Sequence, residues 1–173
     1  AEQRFDVPVR DMEIARQNAY GGRTRYIWNV GKPFVAHGAA VVSLHKVGGF
    51  GDGFFTSNEG VLLRSENILV EEDSAKITWE TLPEGERGLR APAEGGTVAS
   101  EHSYSVLSDG SFYSVYRTID GHPACAYSRD GGRTWLEPQY KQFPDGRLLK
   151  HPRAANFAWR CANGHYLYWY HNH

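Results

Sequence analysis

Alternating apolar and polar residues recur in short runs along the chain, and glycine-containing turns separate the runs. The clearest runs are 102–108, HSYSVLS, and 111–117, SFYSVYR, which flank Asp109-Gly110. A two-residue Asp-Gly connection between such runs is a strong signal for a β-hairpin. The runs 122–128 and 133–138 follow directly, so the pattern predicts four short antiparallel strands in meander order.

An internal repeat extends this pattern to the first half of the chain. The stretch 127–138, YSRDGGRTWLEP, has a longer and altered copy at 63–83, in which Asn67 stands in place of Asp130 and an acidic insert precedes Thr78. Four-stranded units that repeat at this scale are typical of propeller blades. We therefore predict an all-β fold of four-stranded antiparallel blades, in a single partial β-propeller domain over 1–173 with approximate blades at 26–83, 101–140 and, incomplete, 151–173.

The number of blades raises the question of ring closure. About three blades fit into 173 residues, whereas propellers typically have at least four. The last residues, 166–173, provide a strand that lacks the fourth-strand partner of a complete blade. We expect the chain to be a fragment of a larger propeller of six or seven blades; an incomplete ring that closes by oligomerisation is the alternative.

Composition narrows the class of partner. The formal net charge is −1, which gives no reason to expect nucleic acid or an anionic membrane surface as a partner. No apolar run is long enough for a transmembrane helix. The 23 aromatic residues (5 Trp, 10 Tyr, 8 Phe) fit a sheet core, and some of the rings could stack on sugars. Cys125 and Cys161 belong to no motif, and two buried thiols are favoured over a disulfide.

The best-formed motif of the chain is an Asp-box. It consists of Ser128, Asp130, Gly132, Thr134 and Trp135, and it resembles the BNR repeat of sialidase-like β-propellers. In that group the box is a structural turn between the third and fourth strands of a blade. We expect the Asp carboxylate to accept backbone N–H groups, Gly to adopt an unusual dihedral angle and Trp to pack between blades. The motif therefore indicates a scaffold, and Asp130 is not a favoured catalytic acid.

The predicted register brings several polar residues to the opposite end of the blade. A two-residue turn at Asp109-Gly110 would place His102 opposite Arg117, and a four-residue loop at 118–121 would place Arg117 opposite His122. These three side chains would then form one row at the strand-entry rim, the end of a propeller that usually holds its site. A one-residue bulge would move each of these side chains to the other face of the sheet.

The same reasoning places residues of the last unit on this rim. A turn at Asn163-Gly164 would set Asn156 opposite His171, with Arg153 just before that strand. Further residues expected on the rim are His37, His151 and His173. Strand-end histidines are common and often only solvated, but several that converge with arginine favour a site.

Histidine, arginine and tyrosine together suit β-elimination of a uronic acid. That reaction needs a base for a carbon-bound proton, a cation on the carboxylate and a proton donor for the leaving oxygen. Glycosidases instead need paired carboxylates, and the candidates on this rim, Glu59, Glu101 and Asp120, show no obvious pairing. A sialidase would also need three arginines and a Tyr/Glu nucleophile pair, which are not evident.

The chain also resembles propeller polysaccharide lyases, namely ulvan lyases and rhamnose–glucuronate lyases, and the related propeller rhamnosidases. In those lyases two histidines about twenty residues apart form the site with Tyr and Arg; "EHSYSV" and "GHPACAYS" provide His102 and His122 at that separation. The resemblance implies that these two histidines act as base and carboxylate neutraliser. It also implies a proton donor, for which Tyr168 is the candidate, and an arginine, for which Arg117 or Arg153 could substitute. His37 and His171 are candidate substrate-binding residues because of their expected place on the rim.

The leading hypothesis is therefore a secreted or periplasmic enzyme that cleaves an acidic or rhamnose-containing polysaccharide or oligosaccharide by β-elimination. No signal peptide is visible in the chain. A glycoside hydrolase of the exo-sialidase or rhamnosidase type on the same scaffold is one alternative. A non-catalytic glycan-binding propeller is the other.

A metal ion is a further candidate ligand. His171 and His173 are two positions apart, so on a strand both side chains point the same way, as zinc ligands can. His151 is a candidate third ligand, and the lyases that the chain resembles carry metal ions. No cofactor is certain; zinc or calcium is the candidate ion, and two solvated rim residues are the favoured interpretation.

Overall fold

The structure, a computed structural model, describes residues 7–23, 27–28 and 30–173. The predicted start of the first blade at residue 26 lies outside the described residues. Among these residues, a short helix, α1 (Glu13–Arg16), precedes the strands, and a 3-10 turn covers Ser74–Lys76. The strands are β1 (Ile27–Trp28), β2 (Phe34–Ala36), β3 (Ala39–Gly51), β4 (Phe54–Ser65), β5 (Glu80–Leu82), β6 (Ser100–Val106), β7 (Phe112–Arg117), β8 (Ala124–Ser128), β9 (Gln139–Tyr140), β10 (Phe157–Arg160) and β11 (Tyr166–Trp169).

These strands form three antiparallel sheets in chain order. In the first sheet, β1 and β2 both pair with β3, and β4 and β5 follow. The second sheet is the meander β6-β7-β8-β9, and β10 and β11 form a two-stranded sheet. The predicted fold class, all-β with blades of four-stranded antiparallel meanders, is confirmed. The described residues contain no helix that is long and apolar enough to cross a membrane.

The core lies between the first and second sheets. One cluster joins Val41 and Leu62 of the first sheet to Phe112 of the second, and another surrounds Tyr116. Trp135 packs against both clusters, so the aromatic ring of the Asp-box lies between the blades as the motif predicts. The third sheet packs against β6, where the Ser103 and Ser105 hydroxyls donate to the Ala158 carbonyl at 3.2 and 2.8 Å.

The hydrogen bonds predicted for the Asp-box are present between β8 and β9. The Asp130 carboxylate accepts from the backbone N–H of Thr134 at 2.9 Å and from the Ser128 hydroxyl at 2.8 Å. Burial opposes the charge of Asp130, but these hydrogen bonds hold the pKa of its carboxyl below the usual range. Gly132 has φ +93°, and a Cβ there would lie 2.9 Å from Leu62 of the neighbouring sheet. The turn therefore fixes the second sheet on the first.

The altered copy of the motif, between β4 and β5, makes the same contacts. The Asn67 side-chain oxygen accepts from the backbone N–H of Thr78 at 3.0 Å and from the Ser65 hydroxyl at 3.2 Å. Its amide nitrogen donates to the Lys76 carbonyl at 2.9 Å, a contact that an aspartate could not make. The repeat inferred from the sequence is thus a repeat of structure.

The predicted hairpin register is wrong by one residue, because the loop after β6 has three residues instead of two. The Leu107 N–H donates to the Ser111 carbonyl at 2.8 Å, which leaves 108–110 as the loop. Gly110 has φ +84°, and the Asp109 carboxylate accepts from the Ser111 N–H at 3.0 Å. Val106 is therefore paired with Phe112.

The last hairpin repeats this geometry. The Cys161 N–H donates to the His165 carbonyl at 2.7 Å around a loop at 162–164, in which Gly164 has φ +84°. Phe157 pairs with Trp169, so Asn156 is one residue out of the predicted register with His171. The two cysteines are free thiols, as expected, but both are half-buried and not fully buried.

A bulge at the start of β6 adds a second displacement. Ser100 pairs with Arg117 and Ser103 pairs with Val115, so two residues of β6, Glu101 and His102, face the single residue between them on β7. The prediction that His102 pairs with Arg117 is therefore wrong. The prediction for β7 and β8 is also off by one residue, since Tyr116 pairs with Ala124.

Candidate functional site

A buried arginine marks the rim where β6 begins and β7 ends. Only 8% of the Arg117 side chain is exposed, and its Nε lies 2.6 Å from the Glu101 carboxylate. A terminal nitrogen donates to the Ser100 hydroxyl at 3.4 Å. Burial lowers the pKa of Arg117; Glu101 opposes this effect, and the positive charge of Arg153 adds to it. Two arginines predicted for this rim thus lie within electrostatic reach of each other.

Arg153 lies on an aromatic surface next to this ion pair. Its guanidinium donates to the Phe55 carbonyl and lies 4.9 Å from the centre of the Phe54 ring. Phe50 and Phe54, at the tip of the β3–β4 hairpin, are at least half exposed. The arrangement provides a solvent-facing cation beside exposed rings, which suits a sugar that carries a carboxylate.

Positive charge exceeds negative charge around Arg117 and Arg153. Arg117 and Arg153 contribute two positive charges, and Glu101 is the carboxylate that contacts Arg117. In the described part of the chain, the hydrogen-bond and ring partners of Arg153 are a carbonyl group and an aromatic ring, neither of which is charged. The cluster, which we call the Arg117–Arg153 site, therefore favours an anionic group.

His151 lies beside this site with both ring nitrogens engaged. Its Nδ1 accepts from the His171 backbone N–H at 3.2 Å, so the proton is on Nε2, which donates to the Ala154 carbonyl at 2.7 Å. Burial lowers the pKa of His151. In this arrangement His151 positions the chain around His171 and is available neither as a base nor as a metal ligand.

His171 itself lies at the end of β11 among other rings. Its ring centre is 5.6 Å from His151, 5.2 Å from Trp169 and 5.6 Å from His173. Within 7–23 and 30–173, no group of three His, Cys, Asp or Glu side chains is arranged to hold a metal ion. The candidate zinc pair His171 and His173 therefore lacks a third ligand among the described residues.

Tyr168 lies on the face of β11 that is turned towards the second sheet. Its hydroxyl donates to the Asn156 side-chain oxygen at 3.3 Å, and the Lys141 ammonium lies 4.7 Å from its ring centre. Burial raises the pKa of the Tyr168 phenol, with smaller contributions from Cys125 and Tyr170. The phenol therefore keeps its proton at neutral pH, as a proton donor must.

His102 is part of the core between the first two sheets. It has no exposed surface, its ring centre is 4.4 Å from that of Tyr116, and it packs against the backbone of Gly60. A Cβ at Gly60 would lie 2.4 Å from the imidazole. Burial lowers the pKa of His102 well below its ordinary value, so the ring is neutral. As placed, His102 offers no surface to a substrate.

The structure does not bring His102 and His122 together. The Nδ1 of His122 donates to the Leu149 carbonyl at 2.8 Å, and the ring is 5.7 Å from that of Tyr140. His122 thus contacts the connection between the second and third sheets, whereas His102 faces the first sheet. The single row predicted for these residues is absent because the hairpin loop and the bulge each shift the register.

His37 lies at the end of the blades opposite to the rim where it was predicted. It belongs to the β2–β3 turn, has φ +51°, and its Nε2 lies 2.9 Å from the Gly110 carbonyl. Its ring stacks on Phe112 at 5.7 Å, near the Asp-box end of the blades. The expectation placed His37 at the start of a strand on the rim, but β3 enters from the other end.

Sequence reasoning missed His45, a buried residue close enough to Arg117 to feel its charge. It is 3% exposed, its ring is 5.6 Å from that of Phe55, and burial together with Arg117 lowers its pKa to about 4. The register pairs His45 with Gly60 and Val47 with Asn58, so His45 and Asn58 share one buried face. No clear signal marked His45 as buried, because both alternating rows of 39–47 are mostly apolar.

The other rim carboxylates have partners of their own. Glu59 contacts Arg90 at 2.5 Å and accepts from the Gly88 N–H at 2.7 Å. Asp120 accepts from the Tyr140 hydroxyl at 2.8 Å. A cavity of about 440 Å³ near Glu59 lies between α1 and the 90–97 loop, and its lining includes neither Arg117 nor Arg153.

Comparison with known proteins gives a likeness of fold only. No protein-family model matches the chain, and no curated protein matches it. Among solved structures, it is similar to the K499G mutant of NanB sialidase from Streptococcus pneumoniae, with a TM-score of 0.49 and 19% identity. The match covers 76% of this chain and 16% of that protein, so the chain spans about a sixth of its length. Nothing about the activity of this chain follows from that likeness.

Proposed function

We propose that this chain is part of a carbohydrate-active β-propeller that cleaves an acidic or rhamnose-containing polysaccharide by β-elimination at the strand-entry rim. The observation that supports this proposal is the excess positive charge of the Arg117–Arg153 site. A substrate carboxylate would neutralise the positive charge that remains after Glu101 has compensated one arginine. The exposed Phe54 ring offers a surface on which a sugar face can stack.

The side chains available at the rim suit the steps of β-elimination. Arg117 and Arg153 would bind the uronate carboxylate and stabilise negative charge that develops when the C5 proton leaves. His171 is the candidate base for that proton, since the ring of His151 is already engaged. The C4–O bond then breaks, a C4–C5 double bond forms, and the phenol of Tyr168 donates a proton to the leaving oxygen.

The pairing of His102 with His122 as base and neutraliser is a separate prediction. Its least accessible member is His102, which is fully buried. Substitution of His122 by Ala tests this prediction apart from the Arg117–Arg153 site. We expect the His122→Ala variant to keep its activity if the site described above is the active one, and to lose it if the paired-histidine assignment holds.

The test of function is incubation with uronic-acid polysaccharides, followed by the ultraviolet absorbance of the unsaturated product. We expect absorbance to rise with the wild-type protein and with Arg160→Gln, because Arg160 is exposed at the far end of β10. We expect Arg153→Gln to abolish most of the rise. Release of reducing ends without a rise in absorbance would indicate a hydrolase and would contradict the proposal. Saccharide binding without any cleavage would indicate a binding module and would contradict it as well.

A further inference from the structure

Glu101 has an unusual backbone conformation for its residue type. Its φ is +56°, in the left-handed region that non-glycine residues rarely adopt. It occupies the bulge of β6, where Glu101 and His102 together face one residue of β7. A glycine would take this conformation without steric cost, so the side chain of Glu101 must offset the strain.

The bulge determines where the carboxylate points. Ser100 and His102, on either side of Glu101, have no exposed surface, whereas a quarter of the Glu101 side chain is exposed. The carboxylate contacts the Nε of Arg117 at 2.6 Å, and the Ser100 hydroxyl accepts from a terminal nitrogen of the same group. Nε and one terminal nitrogen, which share an edge of the planar guanidinium, therefore contact neighbouring residues of one strand.

We infer that Glu101 is a positioning residue: the bulge holds its carboxylate on Nε of Arg117 and so orients the guanidinium towards a substrate carboxylate. This inference rests on the proposed function of the Arg117–Arg153 site. Glu101 can orient Arg117 without neutralising the site, because Arg153 supplies a second positive charge. A bidentate grip on a carboxylate depends on the direction of the guanidinium plane as well as on its charge.

A purely electrostatic role for Glu101 predicts the opposite effect on binding. Removal of its negative charge would make the rim more positive and would strengthen binding of an acidic saccharide. Loss of the orienting contact would weaken binding despite the more favourable charge. The sign of the change therefore separates the two roles.

The experiment is calorimetric titration of a uronic-acid oligosaccharide into wild type, Glu101→Gln and Glu101→Gly. We expect both variants to bind at least about tenfold more weakly, the loss typical of one charge-assisted hydrogen bond. Glu101→Gly should bind no better than Glu101→Gln, although its backbone is free of strain. Unchanged or tighter binding by either variant overturns the inference.

A second variant covers the case in which a neutral residue next to buried Arg117 prevents folding. Glu101→Asp keeps the negative charge and shortens the side chain by one methylene group, so the carboxylate no longer reaches Nε in the same geometry. We expect the same loss of affinity. Wild-type affinity in Glu101→Asp overturns the inference.

The orientation of Arg117 has a readout that needs no ligand. In nitrogen-edited NMR spectra, the side-chain resonances of Arg117 should show slow rotation about the Nε–Cζ bond in wild type and faster rotation in Glu101→Gln. Equal rotation rates in the two proteins overturn the inference. If rotation becomes faster as expected but wild type binds no acidic saccharide, Glu101 still orients Arg117 and it is the proposed function that fails.

Discussion

Acidification should destabilise this protein, and His45 should account for an identifiable part of the loss. His45 is 3% exposed, and burial with the nearby charge of Arg117 lowers its pKa from the ordinary 6.5 to about 4. The unfolded chain therefore binds a proton in a range of pH in which the folded chain does not. Stability from His45 is fully present above pH 6.5 and is lost as the pH falls towards 4. The difference in pKa corresponds to ~3 kcal/mol of unfolding free energy.

The assay is urea denaturation at several pH values between 7.5 and 4, for wild type and His45→Gln. The buried His102 and the partly buried His151 also have lowered pKa values, so wild type carries more than one contribution. The difference between the two proteins isolates His45. His165→Gln is the control, because His165 is exposed. An equal loss of stability in wild type and His45→Gln on acidification would refute the role assigned to His45.

Two further predictions concern the packing of the sheets and the turn between β4 and β5. Gly60→Ala places a methyl group 2.4 Å from the His102 ring and should lower the unfolding free energy by ~1–3 kcal/mol. Gly51→Ala, whose Cβ would make an ordinary contact, should change it little in the same denaturation experiment. Asn67→Asp restores the aspartate of the Asp-box but removes the hydrogen bond to the Lys76 carbonyl. We therefore expect the unfolding free energy to fall by ~1 kcal/mol, and a gain in stability would refute this.

Local patterns were sufficient to predict the strands and the Asp-box turn. The alternating runs around Gly110 gave the meander, and the spacing of Ser128, Asp130 and Thr134 gave the contacts of the turn. Each of these features depends on residues that are close in the sequence. The prediction that Arg117 and Arg153 share one rim depended only on the direction of the strands. A register error of one residue therefore did not affect it.

The predictions that failed depended on register. An Asp-Gly pair occurs in both two- and three-residue hairpin loops, and the difference moves every later side chain to the other face. No glycine marks the position of the bulge at Glu101, so the sequence pattern indicated a regular strand. His102 consequently lies in the core, where its neighbour Gly60 comes from a strand more than 35 residues earlier.

The central claim is that the Arg117–Arg153 site binds the carboxylate of an acidic saccharide, and the most direct test is a comparison of affinities. An acidic oligosaccharide and its carboxyl-reduced, neutral counterpart would be titrated into wild type, Arg153→Gln and the control Arg160→Gln. We predict that wild type and Arg160→Gln prefer the acidic form, and that Arg153→Gln loses that preference by about tenfold or more. Equal affinity of wild type for the two saccharides, or an unchanged preference in Arg153→Gln, would contradict the claim.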